Sequence, residues 1–512
     1  MVVPRIKFPQ LAQPTRTFFT LTKSPVRQLS FKMSSPEPAA KRLSKIADAL
    51  SKKFSTSGSA SSDGPVLSHV VQPTQPSVLH RKQFTGRTFI LNRPKAYNAL
   101  DLSMIRNIVP QLQAWDQSDL CKVITIKSSH PKAFCAGGDV KIAAQKGKDR
   151  DPSAVSFFTE EYKLNHMIGT LNTPFVALID GITMGGGVGL SVHAPFRVAT
   201  EKTKLAMPET SIGLFPDVGA SFFLSRLDGE LGAYLGLTGH LLEGREVMYA
   251  GFATHYVPSE RLPALEDRLN ELDSSEHDVV NQAIEEFCAE PDYKPSSLDA
   301  YRPAIDRCFA HSSVKDIIAA LREETEEKEW AQNTIKVLEA SSPTSLIVTL
   351  EHLRRGRQLN FAQCLQMEHN LVQHFLNNHD FPEGVESKLV LKGSRPPQWQ
   401  PASLAEADEK LIIRKYFESA EGPSLTFEGS ASKGDFMKYP YSHFTLPTEE
   451  DVKDYLTHSS ISLRPTVDEL LNHFMVTRDH KVGIKTQLIS IIQRCCEVDY
   501  SNKNEVFWNK KN

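Results

Sequence analysis

The stretch GITMGGGVGLSVHA, residues 181–194, directly follows the apolar run PFVALID. A short buried strand that breaks on glycine and restarts as a glycine-rich helix can be built in few ways. Glycine is the residue that accepts both positive φ and close backbone approach. A second junction of this kind, AFCAGGDV at 133–140, comes after the strand KVITIKSS and a Ser/His/Pro loop. Each junction leaves N–H groups unpaired at a helix start, beside the positive end of the helix dipole. Two of them in one domain are able to aim two N–H groups at a single oxygen, which is the arrangement of an oxyanion hole. A plain close helix–sheet crossing at GGGVG stays open as the simpler reading. Neither cluster has G-x-G-x-x-G spacing, no G-K-[ST] follows, and there is no G-x-S-x-G for a nucleophilic serine.

The flanking sequence is α/β in texture. GRTFILN reads as a strand, RPKAYNAL as a turn, and LDLSMIRNIVPQLQAWDQ as an amphipathic helix. FRVATEKTKLAMPE, residues 196–209, alternates as one further strand. Strands separated by helical stretches predict stacked β-and-helix units. After LTGHLLEGREVMYAGFATHYV (237–257) the chain becomes long, amphipathic and helical, as in SVKDIIAALREETEEKEWAQNTIKVLEA. Near the C-terminus GPSLTFEGSASKGD reads as a loop, and TVDELLNHFM and TQLISIIQRCCEV as helices.

MPETSIGLFPDVGAS, residues 207–221, sets Glu209 and Asp217 eight residues apart among apolar and small neighbours. Burial makes each carboxylate costly and raises its basicity, a property suited to proton abstraction or nucleophilic attack. Solvated loop acids are the plainer reading. Asp139 reads as a helix N-cap. His255 reads as a structural histidine, and Arg226 and Arg245 as surface or phosphate-pairing residues.

At 512 residues the chain is long enough for two or three cores, and its 23% charged residues nearly cancel to a net −2. No basic stripe interleaved with aromatics is present, so nucleic acid is not expected as the main ligand. No apolar run approaches the roughly 18 residues of a membrane span. Residues 1–36 carry six Lys/Arg and no acid, the composition of a mitochondrial transit peptide, and 37–64 reads as a flexible linker. The seven cysteines show neither C-x-x-C nor zinc spacing, so no metal is expected.

ILNRPKAYNALDLSM, KAFCAGGDV, the block 180–221 and LTGHLLEGREVMYAGFATHYV together resemble the enoyl-CoA hydratase/isomerase (crotonase) superfamily, and its 3-hydroxyisobutyryl-CoA hydrolase branch in particular. The resemblance spans about 70–400. It implies an α/β crotonase-type spiral of ββα units, with a core over 65–275 and a helical region over 276–420 that completes the domain. Residues 421–512 form a C-terminal extension of unknown role. It places the oxyanion hole at the backbone N–H groups of Gly138 and Gly186, the catalytic acids at Glu209 and Asp217, a substrate-contacting acid at Glu161, and backbone near the CoA adenine at Ala96–Asn98. Acyl-CoA is then the substrate, with no separate cofactor. Hydratases carry a glutamate where this chain has Gly189, as do dienoyl isomerases an acid, which favours thioester hydrolysis. Glu386 replaces a frequent basic residue and Leu391 a usual acid, both toward the CoA end. The expected function is hydrolysis of 3-hydroxyisobutyryl-CoA in mitochondrial valine breakdown, in the matrix. The alternatives are an enoyl-CoA hydratase or isomerase, and a mitochondrial scaffold protein that keeps a crotonase body and docks through its extension or self-associates.

Overall fold

The computed structural model describes residues 76–290, 297–420, 422–427, 435–458 and 464–509. The transit-peptide and linker segments, 1–64, lie outside the described residues, as does most of the second half of GPSLTFEGSASKGD.

The chain builds two sheets in alternation. The larger has six strands in the order β1 (Val78–Gln83), β2 (Gly86–Leu91), β3 (Val123–Ser128), β5 (Phe175–Ile179), β7 (Phe196–Ala199) and β10 (His255–Tyr256). The smaller holds β4 (Ala133–Cys135), β6 (Ile182–Met184), β8 (Lys204–Ala206) and β9 (Leu242–Glu243). β3, β5 and β7 enter the large sheet in parallel, and each is followed at once by a strand in the small one. This repeat of strand, strand and helix is the crotonase spiral. FRVATEKTKLAMPE is therefore two strands rather than one: Thr203 N bonds Thr200 O at 3.1 Å and the chain leaves one sheet for the other. The alternation was real, but it spans a turn whose Thr and Lys residues carry no breaker. β1 is also a strand, unmarked in the sequence because VLHRKQ sits on an edge with mostly exposed side chains.

Local chemistry fixes the corners. Gly181 turns β5 into β6 at φ +112, where a methyl group would fall 2.6 Å from the carbonyl of Lys132. Asp101 caps the Leu102–Asp116 helix by accepting from Met104 N at 2.9 Å, and Met104, Ile105, Ile108, Leu112 and Trp115 face the core. VKDIIAALRE and KEWAQNTIKVLEA form two helices, Val314–Glu323 and Lys328–Ala340, parted where Glu324 adopts an extended conformation. Asn360 and Gln363 make a reciprocal capping box at the start of the Phe361–Leu376 helix.

The described part of 435–509 packs against the body of the fold. Glu449 is buried with Arg302 at 3.2 Å and with Arg494, and its amide donates to Asp228 Oδ1 at 3.0 Å. Tyr439 donates to His193 O at 2.9 Å, and Phe444 packs 5.0 Å from Phe196, ring centre to ring centre. The chain closes on a hairpin of β11 (Cys496–Asp499) and β12 (Glu505–Trp508). No described helix is long and apolar enough to cross a membrane.

Candidate active site

The stretch 208–221 is held on all sides. Pro208 leads into a 3-10 turn over Glu209–Ile212 that ends at Gly213, φ +74. Thr210 Oγ1 donates to Leu237 O at 3.1 Å. His352 Nε2 lies 3.0 Å from Pro216 O, and His193 Nε2 donates to Val218 O at 2.7 Å. Glu368 accepts from Gly219 N at 2.6 Å, Ser221 N at 2.8 Å and Ser221 Oγ at 2.6 Å. Val218 sits at φ +53, a left-handed conformation that costs a β-branched residue about 1–3 kcal/mol and persists only where neighbours enforce it. Between these anchors Asp217 turns inward, and Tyr162 donates its hydroxyl proton to Oδ2 at 2.8 Å.

The glycine junctions meet the acids in the same place. A methyl group on Gly186 would lie 3.1 Å from Gly138 N and would collide with Glu161 Oε1. One on Gly185, φ +45, would lie 2.7 Å from Glu209 Oε1 and 3.8 Å from the Cα of Gly137. Among the described residues neither the Gly138 nor the Gly186 amide donates a hydrogen bond to another backbone group. Glu161 Oε1 and Glu209 Oε2 are buried without a hydrogen-bond partner. Glu161, Glu209 and Asp217 retain only 2%, 6% and 4% of their exposure. The structure thus brings together Gly138, Gly186, Glu161, Glu209 and Asp217.

Burial and mutual repulsion oppose ionisation of all three carboxyls at once. Burial, then Asp217, holds Glu209 well above the ordinary carboxylate range. Burial, then Asp217 and Glu209, does the same to Glu161. Asp217 is pushed up to about 7 by burial, against the hydrogen bond from Tyr162 that favours its charged form. Glu368, outside the pocket, stands at about 8 through burial despite its three donors.

The loop carrying Ala96 and Asn98 runs beside the Gly138 loop: Ala136 N donates to Tyr97 O at 3.1 Å, Leu100 N to Gly137 O and Asp139 N to Leu100 O, both at 2.8 Å. The Asn98 side chain is wholly structural, accepting from Arg93 N at 2.8 Å and donating to Ser128 Oγ at 2.7 Å and Phe134 O at 3.0 Å. Asp139 occupies the N-cap position of the Val140–Lys148 helix but makes no capping bond; its carboxylate pairs with Arg93 at 2.7 Å instead. Arg226 is no phosphate partner, because its guanidinium binds the carbonyls of Phe222, Gly356, Leu359 and Met437. His255 is buried between Thr254, Asn281 and Glu285, and burial lowers it to about 4. Glu386 lies 3.9 Å from Lys148, and Leu391 is exposed. All seven cysteines are free, and burial pushes the Cys135 thiol up to about 12. No group of three His, Cys, Asp or Glu among the described residues is arranged to hold a metal ion.

A methyl group on Gly189 would meet Val218 Cβ at 2.7 Å and Asn165 Nδ2 at 2.8 Å, so the slot of the hydratases' second acid is filled. A surface cavity of 570 Å³ lined by Lys148, Arg150, His379 and Glu383 does not touch the three acids. Tyr162, His193, His352 and Glu368 were not singled out in the sequence. Tyr162 adjoins Glu161 on a helix, but Glu368 lies inside a helix, where an acid ordinarily faces water; its partners alone reveal it.

The Enoyl-CoA hydratase/isomerase family matches residues 86–417. "Small ribosomal subunit protein mS47" of Neurospora crassa is 45% identical over 455 residues, which is 85% of this chain and 88% of that protein. "3-hydroxyisobutyryl-CoA hydrolase, mitochondrial" of Homo sapiens is 44% identical over 353 residues, 68% of this chain and 90% of that protein. Among solved structures, a carnitinyl-CoA dehydratase from Mycobacterium thermoresistibile superposes with a TM-score of 0.63 at 36% identity, covering 69% of this chain and 99% of that one. The chain therefore belongs to the enoyl-CoA hydratase/isomerase (crotonase) superfamily, on its 3-hydroxyisobutyryl-CoA hydrolase branch.

Proposed function

We propose that this chain hydrolyses the thioester of 3-hydroxyisobutyryl-CoA, releasing the free acid and CoA, in the mitochondrion. The observation that carries the proposal is the buried Glu209 carboxyl, with Oε2 unpartnered and Oε1 against Gly185, beside the Gly138 and Gly186 amides, neither of which donates to backbone. The thioester oxygen accepts from Gly138 and Gly186 N–H, which serve the developing oxyanion better than the flat carbonyl. Ionised Glu209 then either attacks the carbonyl carbon, expelling the CoA thiolate and leaving a mixed anhydride that water opens, or takes a proton from a water that attacks directly. Asp217, held by Tyr162, orients the water or the acyl hydroxyl. The filled Gly189 slot leaves no second glutamate for hydration, and the named hydrolase relatives agree with this choice.

The test is thiol release from 3-hydroxyisobutyryl-CoA and crotonyl-CoA. Release from the first alone supports hydrolysis. Loss of the crotonyl double bond without thiol release would make the protein a hydratase. With labelled water in a single turnover, label in the Glu209 carboxylate marks the anhydride route.

A second reading is favoured by one observation. The match to the ribosomal relative covers 85% of the chain against 65–68% for the hydrolases of Danio rerio and Homo sapiens, an excess close to the size of the extension. We infer a place in a small ribosomal subunit as a second use of the same body. Co-sedimentation of the tagged chain with assembled subunits supports it; exclusive recovery as free protein refutes it.

A further inference from the structure

Asn165 is fully buried, yet neither its Oδ1 nor its Nδ2 has a hydrogen-bond partner. Leaving both ends of a buried carboxamide unpaired costs about 1–3 kcal/mol per group. Native folds seldom leave such groups orphaned without a functional reason. Asn98, equally buried, shows how the same fold treats a structural asparagine: both its oxygen and its nitrogen are engaged.

Its position says what would satisfy it. Asn165 lies one turn beyond Glu161 on the Ala154–Gly169 helix, so the two share a face. Glu161 abuts Gly186, the second oxyanion donor, and the Asn165 Nδ2 abuts Gly189, one turn further along the facing helix. Val218, next to Asp217, closes the other side. One helical turn is roughly 5.4 Å. In a β-hydroxyacyl group two C–C bonds and one C–O bond carry the hydroxyl roughly 4 Å from the thioester carbon. That reach is on the scale of the one-turn step from Gly186 to Gly189, beside which the Asn165 carboxamide lies. A hydroxyl both donates and accepts, and a carboxamide offers both complements without adding a fourth charge to a pocket of three acids.

We propose that Asn165 is a specificity-determining residue that binds the β-hydroxyl of the acyl group, so that the site selects short hydroxyacyl thioesters over their deoxy counterparts. This rests on the hydrolase reading above. A site built to hydrogen-bond a hydroxyl rejects an analogue without it strongly, because its own buried polar atoms then stay unpaired.

The experiment measures kcat/KM for 3-hydroxyisobutyryl-CoA and isobutyryl-CoA with the full chain and with Asn165→Leu and Asn165→Ala. The wild-type preference for the hydroxylated thioester is expected to fall by about tenfold or more in both variants. An unchanged ratio overturns the inference while leaving the hydrolase reading intact. A wild-type protein that releases thiol from neither substrate overturns both. A measurement independent of the variants' folding is the wild-type structure with a non-hydrolysable thioether analogue of 3-hydroxyisobutyryl-CoA. A β-hydroxyl at hydrogen-bond distance from Asn165 supports the assignment, and one held only by Glu161 or Asp217 refutes it.

Discussion

Tyr162 donates to Asp217 Oδ2 at 2.8 Å, with both residues sealed from solvent. That bond, ahead of Asp217's own backbone amide, favours the charged side chain where burial opposes charge, and it helps set how readily Asp217 ionises beside Glu209. Removing the donor in Tyr162→Phe should raise the Asp217 carboxyl above its value of about 7. A hydrogen bond to a charged group contributes about 1.5–3 kcal/mol, so the acid limb of the pH–rate profile should move up by roughly one pH unit or more. A profile that superposes on the wild type would show that Asp217 does not govern that limb.

Gly186 and Gly138 should differ in their tolerance of alanine. A methyl group at 186 strikes the Glu161 carboxylate and crowds Gly138 N, whereas at 138 it meets the half-buried Phe157 ring at 3.0 Å, an apolar side chain outside the reacting groups. Gly186→Ala is expected to lose about 10²–10³ in kcat, the usual effect of an oxyanion donor displaced. Gly138→Ala should lose less. Steady-state kinetics of the two variants decides it, and equal losses would argue against the asymmetry.

The acids should cost stability. Asp217 has a folded-state value of about 7, above that of an unfolded chain, so the folded form holds its proton more tightly. Its contribution is fully present below about pH 4 and is lost as pH rises through 7. Asp217→Asn should therefore melt higher than wild type at pH 8 and show little gain at pH 4. Melting curves at the two pH values test this; a gain at both would point to a cause other than ionisation.

The extension should prove part of the folded body. Glu449→Ala leaves Arg302 and Arg494 buried without their shared carboxylate. Breaking such a cluster costs about 3–5 kcal/mol, read as a lower midpoint in chemical denaturation. A midpoint within error of wild type would make the extension an appendage.

Much of this was legible in the sequence, where local chemistry dictates structure. The junctions at 133–140 and 181–194 demand glycine for backbone reasons, so they announce themselves, and Glu209 and Asp217 stand out as acids among apolar neighbours. The clamp behind Asp217 was not legible. His193, His352 and Glu368 reach it from distant parts of the chain, and no spacing records that convergence. Asp139 and Arg226 show the opposite limit: their positions suggest a cap and a surface or phosphate-pairing residue, but Arg93 in one case and four carbonyls in the other claim their side chains. The burial of Glu449 was equally hidden, since an acid in a charged helix start ordinarily faces water.

The most direct measurement compares thiol release from 3-hydroxyisobutyryl-CoA by the wild-type protein and by Glu209→Gln, which keeps shape and burial but removes the ionisable oxygen. Rapid release by wild type and a loss of at least about 10³ in kcat in the variant are predicted, the scale expected when a nucleophile or base is removed. Near-normal turnover by folded Glu209→Gln would contradict the assignment of Glu209 as the reacting acid.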